Sequence, residues 1–235
     1  MMDGVVPPEE PRFTAEGVRT GFLRLLPLAV MIIPFGIAFG VTSVEVGVPN
    51  DAALLMSAAI FAGASQFAVL DLWGDPLPVL SMVAVVLTVN ARHIVMGAAI
   101  GPKLRGLNTS RQLLAVSLLS DANFADAQSA WRSGHEDAAI VLGGGIALWI
   151  CWMVGSGIGI AMSGAMVDPA RFGFDVTMAA FFTAMVVGNQ RTGGYLAAGL
   201  IGAAIALVSA PVVPSGWEII LGALAAGCTA FFRIT

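Results

Sequence analysis

Apolar residues along this chain gather into long runs, divided by clusters of Gly, Pro and charge. A helix needs roughly 20 apolar residues to span a hydrocarbon core. By that measure the pattern predicts spans over 21–43, 52–73, 78–100, 113–131, 138–163, 176–188, 194–210 and 217–232. Two of them are irregular. The 176–188 run is short, and the 113–131 run keeps one apolar face only until it meets Ser120, Asp121, Asn123 and Asp126. Residues 1–20 contain four acids and no apolar stretch of signal-peptide length, so they predict a short soluble tail. The expected architecture is an all-α polytopic integral membrane protein, with about six to eight membrane helices in a single compact bundle over 21–235.

Lys and Arg near span ends tend to stay cytoplasmic, which constrains how the runs cross. If all eight cross and the N-terminus is inside, Lys103, Arg105, Arg111 and Arg171 fall outside. If one of the first three runs is a re-entrant hairpin and the 113–131 run does not fully cross, Arg171 alone stays outside. Broken or re-entrant helices are therefore expected. Two places suit a break: Pro27, Pro34, Gly36 and Gly40 in the first run, and Ala62-Gly63-Ala64-Ser65-Gln66 in the second. Unwound backbone is tolerated in a membrane only where protein or a water-filled cavity satisfies it, and a helix start there presents free N–H groups to an anion.

Composition excludes several classes. Only 11% of residues are charged and 57% are apolar, whereas soluble domains carry roughly a quarter charged. A soluble enzyme cannot cover its surface with so few charges, and a disordered chain would be far less apolar. The net charge of -4 argues against nucleic acid as a partner. Cys151 and Cys228 sit in apolar runs, so neither a disulfide framework nor a metal site is indicated, and no cofactor fingerprint occurs.

The polar residues that interrupt apolar runs are the candidate chemistry. Gly63-Ala64-Ser65-Gln66 combines a glycine allowing close approach with two hydrogen-bonding side chains; helix packing is the plainer reading of such small residues. Asn90-Ala91-Arg92-His93 closes a run that begins near Val79. An arginine inside a span either faces a cavity or pairs with an acid, unless it snorkels to the interface. Asp121 shares a helix side with Ser117 and Gln128, which suits either a proton-accepting or arginine-pairing group in a polar cavity, or the solvated side of an interfacial helix. Trp149 and Trp152 lie mid-run, away from the interfacial aromatic belt, as pocket walls or as core. Gly155-Ser156-Gly157 superficially suggests an intramembrane serine hydrolase with His93 or His135 as base, although no oxyanion partners are identifiable.

Four segments in order carry a resemblance. Pro34-Phe35-Gly36-Ile37-Ala38-Phe39-Gly40, Phe61-Ala62-Gly63-Ala64-Ser65-Gln66-Phe67, Asn90-Ala91-Arg92-His93 and Pro102-Lys103-Leu104-Arg105-Gly106 are similar to the AzlC family, the large subunits of bacterial two-component branched-chain amino acid exporters. The similarity runs from about Gly17 to Phe231, and includes Gly173-Phe174-Asp175 and Pro214-Ser215-Gly216-Trp217. A departure occurs at Ala122, where an acid is expected after Asp121. The resemblance implies a transporter domain over 21–235 in the bacterial cytoplasmic membrane. It would export leucine, isoleucine and valine, sometimes methionine, using the proton-motive force together with a small AzlD-like membrane subunit. Read with the residues, it sets Ser65, Gln66, Asn90, Arg92 and Asp121 as substrate-binding or coupling candidates. Gly36, Gly40, Gly63, Phe61, Phe67 and Trp149 are the pocket or helix-break candidates. A structural or regulatory subunit, whose partner holds the path, is the alternative.

Overall fold

The computed structural model describes residues 12–163, 195–214 and 217–234. All elements among them are helices: α1 (Ala15–Glu45), α2 (Asn50–Ala59), α3 (Gly63–Leu70), α4 (Val79–Asn90), α5 (Arg92–Leu104), α6 (Thr109–Ser117), α7 (Asp121–Arg132), α8 (Ile140–Ser163), α9 (Tyr195–Ser209) and α10 (Trp217–Ile234). Among the described residues three stretches are long and apolar enough to cross a membrane: Ala15–Glu45, Val79–Leu104 and Ile140–Ser163. The predicted 176–188 span lies outside the described residues.

The breaks follow the sequence in the second run and depart from it in the first. α1 continues unbroken through Pro27, Pro34, Gly36 and Gly40. Proline removes one N–H from the ladder, but with no competing water the remaining bonds hold and neighbours satisfy the freed carbonyl. The second run does break, between α2 and α3, where Phe61 has φ 43°. A bulky side chain in that left-handed region is strained by on the order of 1–3 kcal/mol. The 113–131 run also divides, at Leu118–Ser120. The 78–100 run is longer than expected: it reaches Leu104 with one interruption at Ala91, so Asn90 and Arg92 stand near its middle by residue count, not at its end.

Two compact units result, one from residues 1–32 and 92–151, the other from 33–91 and 152–235. Both α1 and α8 contribute to each. In the first unit, Met96, Ile100 and Leu104 of α5 bury with Ala115, Leu119, Ala127, Ala130 and Trp131 against the start of α8. Glycines let α1 and α8 meet there at backbone distance, Gly21 on Ile140 and Gly143 on Val18. Asn123, 1% exposed, holds the α6–α7 break: its Oδ1 accepts from the Ser120 N–H (2.7 Å) and hydroxyl (3.1 Å), and its Nδ2 donates to the carbonyls of Leu118 (2.7 Å) and Val141 (2.9 Å).

In the second unit, Gly36 and Gly40 of α1 face Gly155 and Gly159 of α8 in the same way. The contact explains these glycines as packing positions. α4 packs on α3 and α10, with Val69, Leu72, Met82 and Val85 buried between them. α9 and α10 cross at Gly202 and Gly222.

A Cβ on Gly159 would stand 3.0 Å from the Gly40 Cα, whereas one on Gly157 would meet nothing within 4 Å. Gly159→Leu is therefore expected to destabilise by about 1–3 kcal/mol or more through overpacking, and Gly157→Leu to leave stability nearly unchanged. Thermal melting of the detergent-solubilised variants compares them, and equal melting temperatures would sink the close-contact account.

Candidate functional site

The second unit buries a polar cluster at the α2–α3 break. Ser57, Ser65, Gln66 and Ser156 are all at 0% exposure. From the first turn of α3, two hydrogen-bond chains emerge. Gln66 Nε2 donates to Ser57 Oγ (3.4 Å), and Ser57 donates to Ser156 on α8 (2.9 Å). Asn90 Nδ2, at the end of α4, donates to Ser65 Oγ (3.1 Å), which in turn donates to the Ala62 carbonyl at the break (2.9 Å). The helices thus converge through side chains that are neither acidic nor basic.

Gln66 Oε1 and the Trp152 indole Nε1 are buried here without a hydrogen-bond partner. Burying either one costs about 1–3 kcal/mol. The Trp152 ring lies on Gly63, where a Cβ would stand 2.9 Å from its Cη2. It also meets two phenylalanines: ring centroids are 5.7 Å apart for Phe39–Phe67, 5.9 Å for Phe39–Trp152 and 6.5 Å for Phe67–Trp152. Ala62 precedes α3 and has no side chain to cap it. The first N–H groups of α3 are therefore donors without an intrahelical acceptor. A buried acceptor, a buried indole donor, a helix start and three aromatic rings thus belong to one cluster, which offers both hydrogen-bonding senses beside an apolar wall.

Among the described residues the first unit holds two ion pairs, both on α7. Arg92 Nη1 lies 2.5 Å from Asp121 Oδ2. Arg24 of α1 grips Asp126 with two bonds, Nε to Oδ2 (3.1 Å) and Nη2 to Oδ1 (2.8 Å).

Of the sequence-based candidates, Ser65, Gln66, Asn90, Gly63 and Phe67 come together in the cluster, and Phe61 forms the strained link leading into it. Arg92 and Asp121 pair with each other in the first unit. Gly36 and Gly40 serve the α1–α8 contact. Trp149 is half-buried in the first unit, and it is Trp152 that meets the phenylalanines. Phe39, Ser57 and Ser156 join the cluster without having been among the binding candidates. Ser57 carries no distinguishing signal, being one small residue in an apolar run. Ser156 accepts a hydrogen bond from Ser57, where the hydrolase reading needs a histidine. Arg24 and Asp126, within the 21–43 and 113–131 runs, are not among the binding or coupling candidates.

The family model described as AzlC protein matches residues 27–166, more than half of the chain. The chain belongs to the AzlC family. The matched stretch contains the whole polar cluster and both ion pairs except Arg24. An uncharacterized membrane protein of Archaeoglobus fulgidus is 29% identical over 191 residues, covering 80% of this AzlC chain and 83% of its own length. The inner membrane protein YgaZ of Escherichia coli K12 is 25% identical over 214 residues, 86% of this chain and 84% of its own. No solved structure matches it. AzlC membership and these membrane-protein relatives give the chain a membrane-transport role.

The Asp126 side chain is 19% exposed and that of Asp121 45%. Losing the more sheltered acid leaves Arg24 without its bidentate partner in an apolar setting. Asp126→Asn is expected to lower stability by on the order of 1–2 kcal/mol, discounted for partial exposure, and Asp121→Asn by less. Melting temperatures in detergent would show the order, and a larger loss from Asp121→Asn would contradict it.

Proposed function

We propose that this AzlC protein exports branched-chain amino acids, leucine, isoleucine and valine with methionine as a further substrate, across the bacterial cytoplasmic membrane. It does so as the large, multi-pass subunit of a two-component permease whose partner is a small AzlD-like membrane protein. The observation that carries this reading is the half-satisfied cluster at the head of α3. A buried carboxamide oxygen and a buried indole N–H without partners, beside the Phe39–Phe67–Trp152 rings, form a donor and acceptor set next to an apolar wall.

A zwitterion fits that set. Its ammonium donates to Gln66 Oε1. Its carboxylate accepts from Trp152 Nε1 and the first N–H groups of α3, where the helix dipole favours negative charge. A branched aliphatic side chain lies against Phe39 and Phe67, which offer no hydrogen-bond partner to a polar one. Serines and Asn90 hold Gln66 and the break in place. Discrimination among aliphatic side chains differing by one methylene amounts to about 1–3 kcal/mol, so overlapping use of several substrates follows.

Cells fed leucine-containing dipeptides test this directly. Cells expressing both subunits are expected to accumulate less intracellular leucine than cells lacking them, and Gln66→Leu to reduce efflux about tenfold or more through the lost ammonium contact. Unchanged accumulation with both subunits present would overturn the substrate assignment.

Coupling to the proton-motive force is assigned to Asp121, whose ion pair with Arg92 stands near the middle of the Val79–Leu104 stretch by residue count. A proton on the carboxylate removes its charge and frees Arg92, so the pair has two states that a proton gradient can bias. Asp121→Asn is expected to weaken the dependence of efflux on the pH gradient while leaving leucine competition intact. An unaltered dependence removes Asp121 from coupling.

A further inference from the structure

A groove between α5 and α6 takes no part in the polar cluster or the ion pairs. Its floor is a stripe along α5 and the turn after it, in which His93, Gly97, Gly101 and Arg105 recur every fourth residue. A Cβ at Gly97 or Gly101 would meet nothing within 4 Å, so the floor is open. Leu104, Leu113, Val116 and Leu119 form its walls. Ile94 and Val95 beside it are 76% and 71% exposed, which sets the groove in a lipid-facing surface.

One end of this groove is basic. Arg105 and Gln112 line it, in a part of the groove of about 370 Å³ that extends to Gly97 and Gly101. Lys103 and Arg111 are exposed on either side of the short connection between the helices, where Asn108 caps α6 by accepting from the Arg111 N–H (2.9 Å). Among the described residues the ion pairs are Arg24–Asp126 and Arg92–Asp121, so no acid neutralises these three cations.

Length selects the occupant. From His93 to the end of α5 at Leu104 the helix rises about 17 Å, with Arg105 just beyond. That is close to one leaflet of a bilayer whose hydrocarbon core is about 30 Å thick, whereas a membrane helix of a partner needs the full thickness. A cationic mouth at the level of Lys103 and an apolar channel one leaflet long match the two ends of a phospholipid. We propose that the α5–α6 groove binds an anionic phospholipid, its phosphate on Arg105 with Lys103 and Arg111 beside it, and one acyl chain along Gly97 and Gly101. The assignment is independent of the transported substrate.

The test uses the purified full-length chain in detergent, equilibrated with phosphatidylglycerol and phosphatidylcholine of identical acyl chains, with retained lipid read by native mass spectrometry. Phosphatidylglycerol is expected to be retained in preference. Lys103→Gln, Arg105→Gln and Arg111→Gln should each reduce its retention about fivefold, and Gly97→Leu, which fills the channel, should reduce retention of both lipids. Inorganic phosphate at millimolar concentration should displace neither. Gly101→Leu repeats the channel test should Gly97→Leu melt at a lower temperature than the parent. Equal retention of the two lipids, displacement by phosphate alone, or lipid retention untouched by either channel variant would each overturn the proposal. So would a lipid-free groove whose Gly97→Leu variant instead loses co-purification with the small subunit, since that marks a helix seat.

Discussion

A bilayer offers no water to a carbonyl or an amide, so wherever a helix stops part-way this chain must supply the missing partners itself. Two breaks show how. At α6–α7, Asn123 does the work of several waters: its carboxamide makes two bonds at each end and joins Ser120, Leu118 and Val141. At α2–α3, Ser65 reaches back to the Ala62 carbonyl and is itself held by Asn90. Both breaks are therefore fixed by neutral side chains with short reach.

The two buried carboxamides contrast in how fully they are bonded. Asn123 is satisfied at both ends, as a structural residue should be. Gln66 is as deeply buried yet bonded at one end only, and Trp152 above it keeps an unused N–H. Next to them the backbone holds Phe61 in a left-handed conformation that costs free energy. Unmet polar atoms and strain gathered at one place are tolerable because the glycine contacts elsewhere are tight. Gly36 and Gly40 meet Gly155 and Gly159 nearly backbone to backbone, and that contact positions α8 so that Ser156 and Trp152 point into the cluster with Ser57 and Gly63.

Much of this was legible in the residues. Apolar runs mark α1, α8, α9 and α10, because a lipid-facing helix must be apolar over its whole length. Gly63-Ala64-Ser65-Gln66 marked the break in the second run, since small and amide side chains are what a mid-membrane helix start needs. α1 stayed whole because a proline without competing water does not end a helix. Arg92 and Asp121 each announced a need for a partner, but not which one: the pairing rests on tertiary contacts joining α5 to α7. Arg24 lies near the start of the 21–43 run and Asp126 within the 113–131 run, and nothing in their spacing shows that they meet. The choice between Trp149 and Trp152 was beyond the sequence for a physical reason. α8 is apolar all round, and a helix without a polar face does not reveal which side meets its neighbours.

The make-up of the α3 cluster has an electrical consequence. Serine, glutamine, asparagine and tryptophan do not ionise in the physiological range, so the cluster brings no net charge of its own into the low-dielectric interior and its hydrogen bonding does not vary with pH. Formal charge within hydrogen-bonding reach of a partner stands instead in the ion pairs on α7, apart from this cluster.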